Sequence, residues 1–243
     1  MLASTTASVE LTAQGARDIR RPRGSSALLP AGADVLANAL AAGGAHTFEG
    51  KEHIFREGDK AHQVYMVEAG HVCIYKMLSD GRRQVIDFAY PGDVIGLACL
   101  DEHASNAQAM SRTRVRSVPM CALQQVARDD ARLGFKLYEA VSRELRAARE
   151  LLFTVSQRTA TERVASFLLA LSQRNARNNE DPLEYVLPMT RSDIADYLGL
   201  TIETVSRTFT KLRVEGIIEL SQSVLVTIKD LDALEAQADA RRT

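Results

Sequence analysis

Between Thr190 and Arg213 the chain reads TRSDIADYLGLTIETVSRTFTKLR, two short helical patterns hinged on a single glycine. No other stretch restricts the fold as tightly. Two helices joined by three or four residues cross steeply, which calls for a small residue at the crossing and a glycine for positive φ at the turn. Ala195 and Gly199 stand at those places, and Ile194, Leu198, Leu200 and Val205 supply a shared apolar core. Thr190 is placed to cap the first helix, with Asp193 three residues on. Thr201 is placed to cap the second, with Thr204 where a capping acid would stand.

Along that second helix each residue advances by about 100°, so residues three and four apart share a face. Glu203, Ser206, Arg207 and Thr210 then form one stripe, and Ile202, Val205, Phe209 and Leu212 form the opposite one. The polar stripe begins in the first turn, where a recognition helix meets base edges in the major groove. Arginine bonds guanine O6 and N7 in bidentate fashion, glutamate accepts from cytosine N4, and serine serves either way. Glu203, Ser206 and Arg207 are therefore the candidate base contacts. Thr190, Arg191, Thr201, Thr204, Lys211 and Arg213 are the candidate contacts to the DNA backbone. After Gly216, IIELSQSVLVTI predicts two strands around Ser221–Gln222–Ser223, a wing beside the helix pair.

Bulk charge does not draw such a chain to DNA. The formal net charge is -1, and from Arg158 to Glu215 eight basic residues are matched by eight acidic ones. Binding here requires the charges to be sorted by face.

Upstream, the opening residues are polar and rich in small side chains, which predicts a mobile arm, and ADVLANALAAGG predicts a short helix closed by Gly43–Gly44. From His46 to about Leu123 short alternating runs are punctuated by Ala69–Gly70, Asp80–Gly81 and Pro91–Gly92. Asp-Gly and Pro-Gly between β-branched runs are hairpin signals, and strands at this spacing predict a β-roll. A segment free of glycine and proline follows, from Phe135 towards Arg177. In it Tyr138, Val141, Leu145, Ala148, Leu152 and Val155 alternate in steps of three and four. That period of 3.5 predicts a seam against a second helix, and hence a homodimer. The expected organisation is α+β: an arm over 1–45, a β-roll over 46–127, a dimerisation helix over 128–157 and a winged helix-turn-helix over 158–243.

Several function classes fall away. No apolar run approaches about eighteen residues, so no transmembrane span is expected. The N-terminus lacks the basic-then-apolar order of a secretory signal, and a cytoplasmic protein is expected. Cys73, Cys99 and Cys121 are odd in number and far apart, which predicts free buried thiols rather than disulfides, zinc or an iron–sulfur cluster. His46, His53, His62, His71 and His103 show no ligand spacing, so neither metal nor haem is expected. No nucleophile–base pair, paired carboxylates or phosphate loop stands at a usable spacing, and SDGRRQ is too short for a P-loop. The chain reads as a non-enzyme without a cofactor.

From about 46 to 235, the order of β-roll, long helix and winged helix-turn-helix resembles the Crp/Fnr superfamily of bacterial transcription regulators. The E-x-x-S-R of Glu203, Ser206 and Arg207 is similar to the Fnr-type recognition helix, whereas the cyclic-AMP receptor type has glycine at the place of Ser206. LPMTRSDIADYLGLTIETVSR is close to the FixK-like branch. Thr208 departs from the usual larger apolar residue, which predicts looser packing there. The resemblance implies a homodimeric activator that reads a TTGA-N6-TCAA palindrome on double-stranded DNA and works with RNA polymerase. No cysteine precedes Cys73, against an Fnr-type cluster, and PMTRSD, around Thr190, has no thiol in the neighbourhood where some FixK-like relatives carry a redox-sensitive cysteine. Members that bind a cyclic nucleotide place Gly-Glu and then Arg-Ser around its phosphate and ribose. Here GLACLDEHASNAQAMSRT has Leu97 after Gly96 and no arginine before Arg112, so no cyclic nucleotide is expected. The rival reading keeps the fold and makes the β-roll a sensor that needs a small effector.

Overall fold

The computed structural model describes residues 40, 43–97, 101–222 and 224–239. Most of the expected arm and of its short helix lies outside these residues, as do Cys99 and Ser223. Strand β1 (Gly44–Phe48) starts two residues before the expected domain edge at 46. It is followed by β2 (His53–Phe55), β3 (Gln63–Ala69), β4 (Val72–Met77), β5 (Arg83–Ala89), β6 (Val94–Ile95), β7 (Asn106–Ala109) and β8 (Thr113–Pro119). They form two antiparallel sheets of four strands, ordered β1-β8-β3-β6 and β2-β7-β4-β5. Ile54, Phe55, Val67, Val72, Ala107 and Val115 pack together as one core of this roll.

Only one of the three expected turns joins paired strands. Asp80–Gly81 closes a hairpin between β4 and β5. Ala69–Gly70 and Pro91–Gly92 instead carry the chain from one sheet to the other, because β3 and β6 belong to one sheet and β4 and β5 to its partner. A roll needs such crossings, and Gly70 makes one with φ at +81°. A Cβ there would come within 2.7 Å of the Arg112 carbonyl oxygen.

Helix α1 (Met120–Asp129) leaves the roll, and the long helix α2 runs over Ala131–Gln157. It begins after the expected 128 because Asp130 is extended and its carboxylate accepts the Arg132 N–H as a cap. The run free of glycine and proline divides at Arg158 and Thr159, both extended, before α3 (Ala160–Arg177). Thr159 and Glu162 cap that start reciprocally. Strand β9 (Glu184–Val186), α4 (Arg191–Leu198), α5 (Ile202–Val214), β10 (Ile218–Ser221), β11 (Leu225–Ile228) and α6 (Leu231–Ala238) complete the chain.

Val164, Leu168, Ile194, Leu198, Val205, Phe209 and Leu212 belong to a core that continues into Cys73, Tyr75, Val85 and Phe88 of the roll. Roll and helices α3 to α5 thus meet through one apolar interior. Cys73 lies inside it, where burial pushes its thiol up to about 12, so it is inert at neutral pH. Cys121 departs from the expected burial: it is exposed on α1.

Candidate nucleic-acid interface

Local chemistry fixes the helix pair. The Thr190 hydroxyl accepts the Asp193 N–H at 3.1 Å and donates to its carboxylate at 2.7 Å. The same carboxylate accepts the Thr190 N–H at 2.9 Å, which completes a capping box on α4. Gly199 ends α4 in the left-handed region at φ 63° and ψ 43°. Thr201 then caps α5, accepting the Thr204 N–H at 3.2 Å, and the two threonine hydroxyls bond at 3.1 Å. Ala195 is buried at the crossing.

On α5 the apolar stripe is closed off: Val205, Phe209 and Leu212 are at most 2% exposed. Ile202 breaks the expected pattern at 47% exposure, because it sits in the first turn before the helix reaches the core. Thr208 is buried without leaving an unpaired hydroxyl, since it donates to the Thr204 carbonyl at 2.8 Å. Glu203, Ser206, Arg207, Thr210, Lys211 and Arg213 are all exposed. Among the described residues, no hydrogen bond or ion pair engages the side chains of Ser206, Arg207 or Arg213. The Glu203 backbone N–H, the Thr201 hydroxyl and nearby Arg207 hold the Glu203 carboxyl below its ordinary range, so it is an acceptor at neutral pH.

Charge is sorted only in part, since Glu203 on α5 and Glu215 at its C-cap stay exposed. The acids Glu162 and Asp193 are buried in caps, and Arg163 is turned inward, donating to the carbonyls of Leu198 at 3.0 Å and Gly199 at 3.3 Å. Arg207, Lys211 and Arg213 remain outward on α5. Arg191 differs from the other candidate backbone contacts, for its guanidinium lies 3.8 Å above the Phe209 ring and burial lowers its pKa. Stacking occupies the face of a guanidinium and leaves its edge N–H groups for an anion.

Beside α5, β10 and β11 form the wing, with β9 as the third strand of their sheet. On α2 the six expected seam positions behave differently from the α5 core. Tyr138 is 67% exposed, Val141 41%, Leu145 50% and Leu152 66%. Ala148 is exposed as well, and Val155 is half-buried. Phe135 and Phe153, exposed by 57% and 50%, extend this apolar surface and were not part of the seam read from the sequence. Arg163, which braces the turn, also escaped that reading, because its partners are backbone carbonyls and leave no residue-type signal. Among the described residues no group of three or more His, Cys, Asp or Glu could hold a metal ion, and no helix is long and apolar enough to cross a membrane.

Known proteins agree with this architecture. The cyclic nucleotide-binding domain family matches residues 45–130, and the Crp-like helix-turn-helix domain family matches 162–237. The nitrogen fixation regulation protein FixK of Azorhizobium caulinodans is 41% identical over 188 residues, which span 77% of this chain and 76% of that protein. The transcriptional activatory protein AadR of Rhodopseudomonas palustris is 37% identical over 76% of this chain and 79% of its own. The structure of FixK2 from Bradyrhizobium japonicum superposes with a TM-score of 0.76 at 37% identity, covering 80% of this chain and 96% of that one. By its residues, its fold and these relatives, the chain belongs to the Crp/Fnr family of DNA-binding transcription regulators, on the FixK-like branch.

Proposed function

We propose that two copies of the chain pair along α2 and place two α5 helices in successive major grooves of a TTGA-N6-TCAA-like palindrome, activating transcription without a cyclic nucleotide. The observation that carries this reading is the face of α5: its apolar back is sealed, Ser206 and Arg207 stand free, and exposed Glu203 is held only within its own first turn and by nearby Arg207. Arg207 reads the guanine of each half-site, Glu203 the cytosine amine of the same or the next pair, and Ser206 a neighbouring thymine. Thr190, Thr201, Thr204, Lys211, Arg213 and the guanidinium edge of Arg191 hold phosphates on either side. The bared stripe from Tyr138 to Leu152 supports the pairing, with Ala148 and Val155 completing it. Half-sites about 10 bp apart, centre to centre, then match the two-fold symmetry. Relatives named as activators support RNA polymerase as the further partner and the cytoplasm as the place of action.

The β-roll supports independence from cyclic nucleotides. Between Gly96 and Ser111 there is neither Lys nor Arg to neutralise a phosphate. Arg112, which follows, is exposed and lies 3.6 Å from Glu49. One observation favours the sensor reading. Gln63 Oε1 and His103 Nδ1 are buried without a hydrogen-bond partner, and both residues border the space beside Gly96. Orphaned polar atoms of this kind often mark a site for water or a ligand. The test is DNA binding by protein purified without additives, paired with calorimetry against cyclic AMP and cyclic GMP. Specific binding without additive and no heat with either nucleotide is expected. Binding that appears only with an added effector would establish the sensor reading instead.

A further inference from the structure

The β4–β5 hairpin grips α4, the helix that carries the recognition helix, and the charged part of that grip is one arginine. Arg83, on β5, donates through Nε to Asp196 at 3.2 Å and through Nη2 to the same oxygen at 3.1 Å. Its Nη2 also pairs with the Asp193 carboxylate, and the neighbouring Gln84 amide donates to the Asp196 carbonyl. Asp193 is the capping acid of α4, so a single carboxylate closes the helix start and meets the β-roll. Burial alone would raise the Asp193 pKa, but the bonds from Thr190 and Arg83 outweigh it and hold the carboxyl below its ordinary range. Around this polar centre Phe88 packs on Tyr197 with ring centroids 5.3 Å apart. A second contact, Arg174 of α3 to Asp93 of the roll at 2.8 Å, lies beside the Tyr90 ring.

The covalent route between α2 and the helix pair is slight by comparison. Arg158 and Thr159, both extended, are the only residues between the end of α2 and the start of α3. The link is tied to α3, since the Arg158 carbonyl accepts the Arg163 Nε–H at 2.9 Å and the Arg158 guanidinium donates to the Ser166 hydroxyl, but a two-residue extended link leaves its angle to α2 to contacts elsewhere. In the proposed dimer α2 defines the two-fold axis, and the distance between the two recognition helices depends on how each α4–α5 pair is held relative to that axis. We infer that Arg83, through its paired grip on Asp193 and Asp196, is a positioning residue that sets the half-site spacing the dimer accepts. Removing it leaves two carboxylates near one another at a partly buried contact with no counter-charge, a costly arrangement that drives the contact apart.

This inference rests on the dimeric DNA-binding reading, and the experiment separates the two. Wild type, Arg83→Ala and Arg82→Ala are titrated against three duplexes that differ only in an N5, N6 or N7 spacer between TTGA and TCAA. Arg82 makes the ideal control: it is exposed and, among the described residues, pairs only with Asp80 on its own hairpin, so its removal changes net charge identically. Wild type and Arg82→Ala are expected to prefer N6. Arg83→Ala is expected to lose roughly tenfold on N6 while its affinities for the three spacers converge. A merely destabilised protein would lose affinity on all three in proportion and keep the preference. Asp196→Asn, which leaves Asp193 to pair with Arg83, is expected to show the same convergence in smaller degree, and it stands in should Arg83→Ala fail to fold. Wild-type spacer preference in folded Arg83→Ala, or in Asp196→Asn, overturns the inference. Failure of the wild type to bind any of the duplexes would overturn the DNA reading itself.

Discussion

Helices α5 and α2 are both amphipathic, and they dispose of their apolar stripes in opposite ways. On α5, Val205, Phe209 and Leu212 are sealed against α3 and α4, and the polar stripe is left over. On α2, Leu133 is buried near the N-terminal end, but Tyr138, Leu145 and Leu152 beyond it are at least half exposed. A leftover polar stripe whose Ser206 and Arg207 side chains are unengaged suits a polar ligand, whereas a leftover apolar stripe suits a second hydrophobic face. Fully burying a large apolar side chain contributes roughly 1.5–3 kcal/mol, and with about half of that still unclaimed at each of these positions α2 has much to gain from a partner. One chain therefore carries two unfinished surfaces of different chemistry. On the proposed reading, DNA finishes the α5 surface and another copy finishes the α2 surface.

The largest expected effect comes from breaking the α2 side of this contrast. With Leu145 and Leu152 both replaced by glutamate, facing seams would bring four new carboxylates together in place of four apolar side chains. Sedimentation is expected to show monomers, and affinity for the palindrome should fall by at least about a hundredfold, because each half-site must then be bound alone. Secondary structure should persist, since neither side chain belongs to the intrachain core. If the double variant still sediments as a dimer, the apolar surface of α2 is not where the copies meet.

On the α5 side, Arg207→Ala is expected to cost roughly 1–3 kcal/mol per half-site and to relax selection at one guanine. Binding-site selection with wild type and variant side by side reads both quantities. An unchanged base preference at every position would reduce Arg207 to a positioning contact and remove the main support for direct readout by this stripe.

How much of this was legible in the sequence follows the range of the forces involved. The caps at Thr190 and Thr201, the αL turn at Gly199 and the buried set on α5 depend on neighbours within four residues, and residue type and spacing are enough to find them. Ile202 misled, because the 3.6 period says which way a side chain points but not whether the core extends that far along the helix. Thr208 looked like a packing fault, yet a bond to its own helix backbone settles its hydroxyl. Pro91–Gly92 looked like a hairpin, since the residues that turn a chain between sheets are the same ones that turn it within a sheet. The Arg83 contact had no local signature at all. Its partners lie 110 and 113 residues away, and only the packed structure brings them together.

The smallest effect sharpens the contrast through salt. Lys211 lies on the outward side of α5, where its ammonium is 3.9 Å from Glu215 one turn on. Exposed pairs at that spacing contribute only about 0.3–0.5 kcal/mol, so the pair holds Lys211 weakly and does not compete with a phosphate. Each phosphate neutralised by a cation releases counterions and steepens the fall of binding with salt, by a slope of about 0.9 per contact. A dimer of Lys211→Ala loses two such contacts and should flatten the slope of log affinity against log salt by about 1.8, with only modest loss at any one concentration. The loss should be equal on specific and random sequences, since a phosphate contact carries no base information. Dimerisation through α2, an apolar association, should show no comparable weakening as salt rises, in wild type and variant alike. Parallel salt titrations of DNA binding and of the monomer–dimer equilibrium make the comparison. An unchanged DNA slope in Lys211→Ala would place Lys211 off the phosphate path. A dimer that dissociates steeply with salt would mean that the charged flanks of α2, rather than its bared leucines, hold the two copies together.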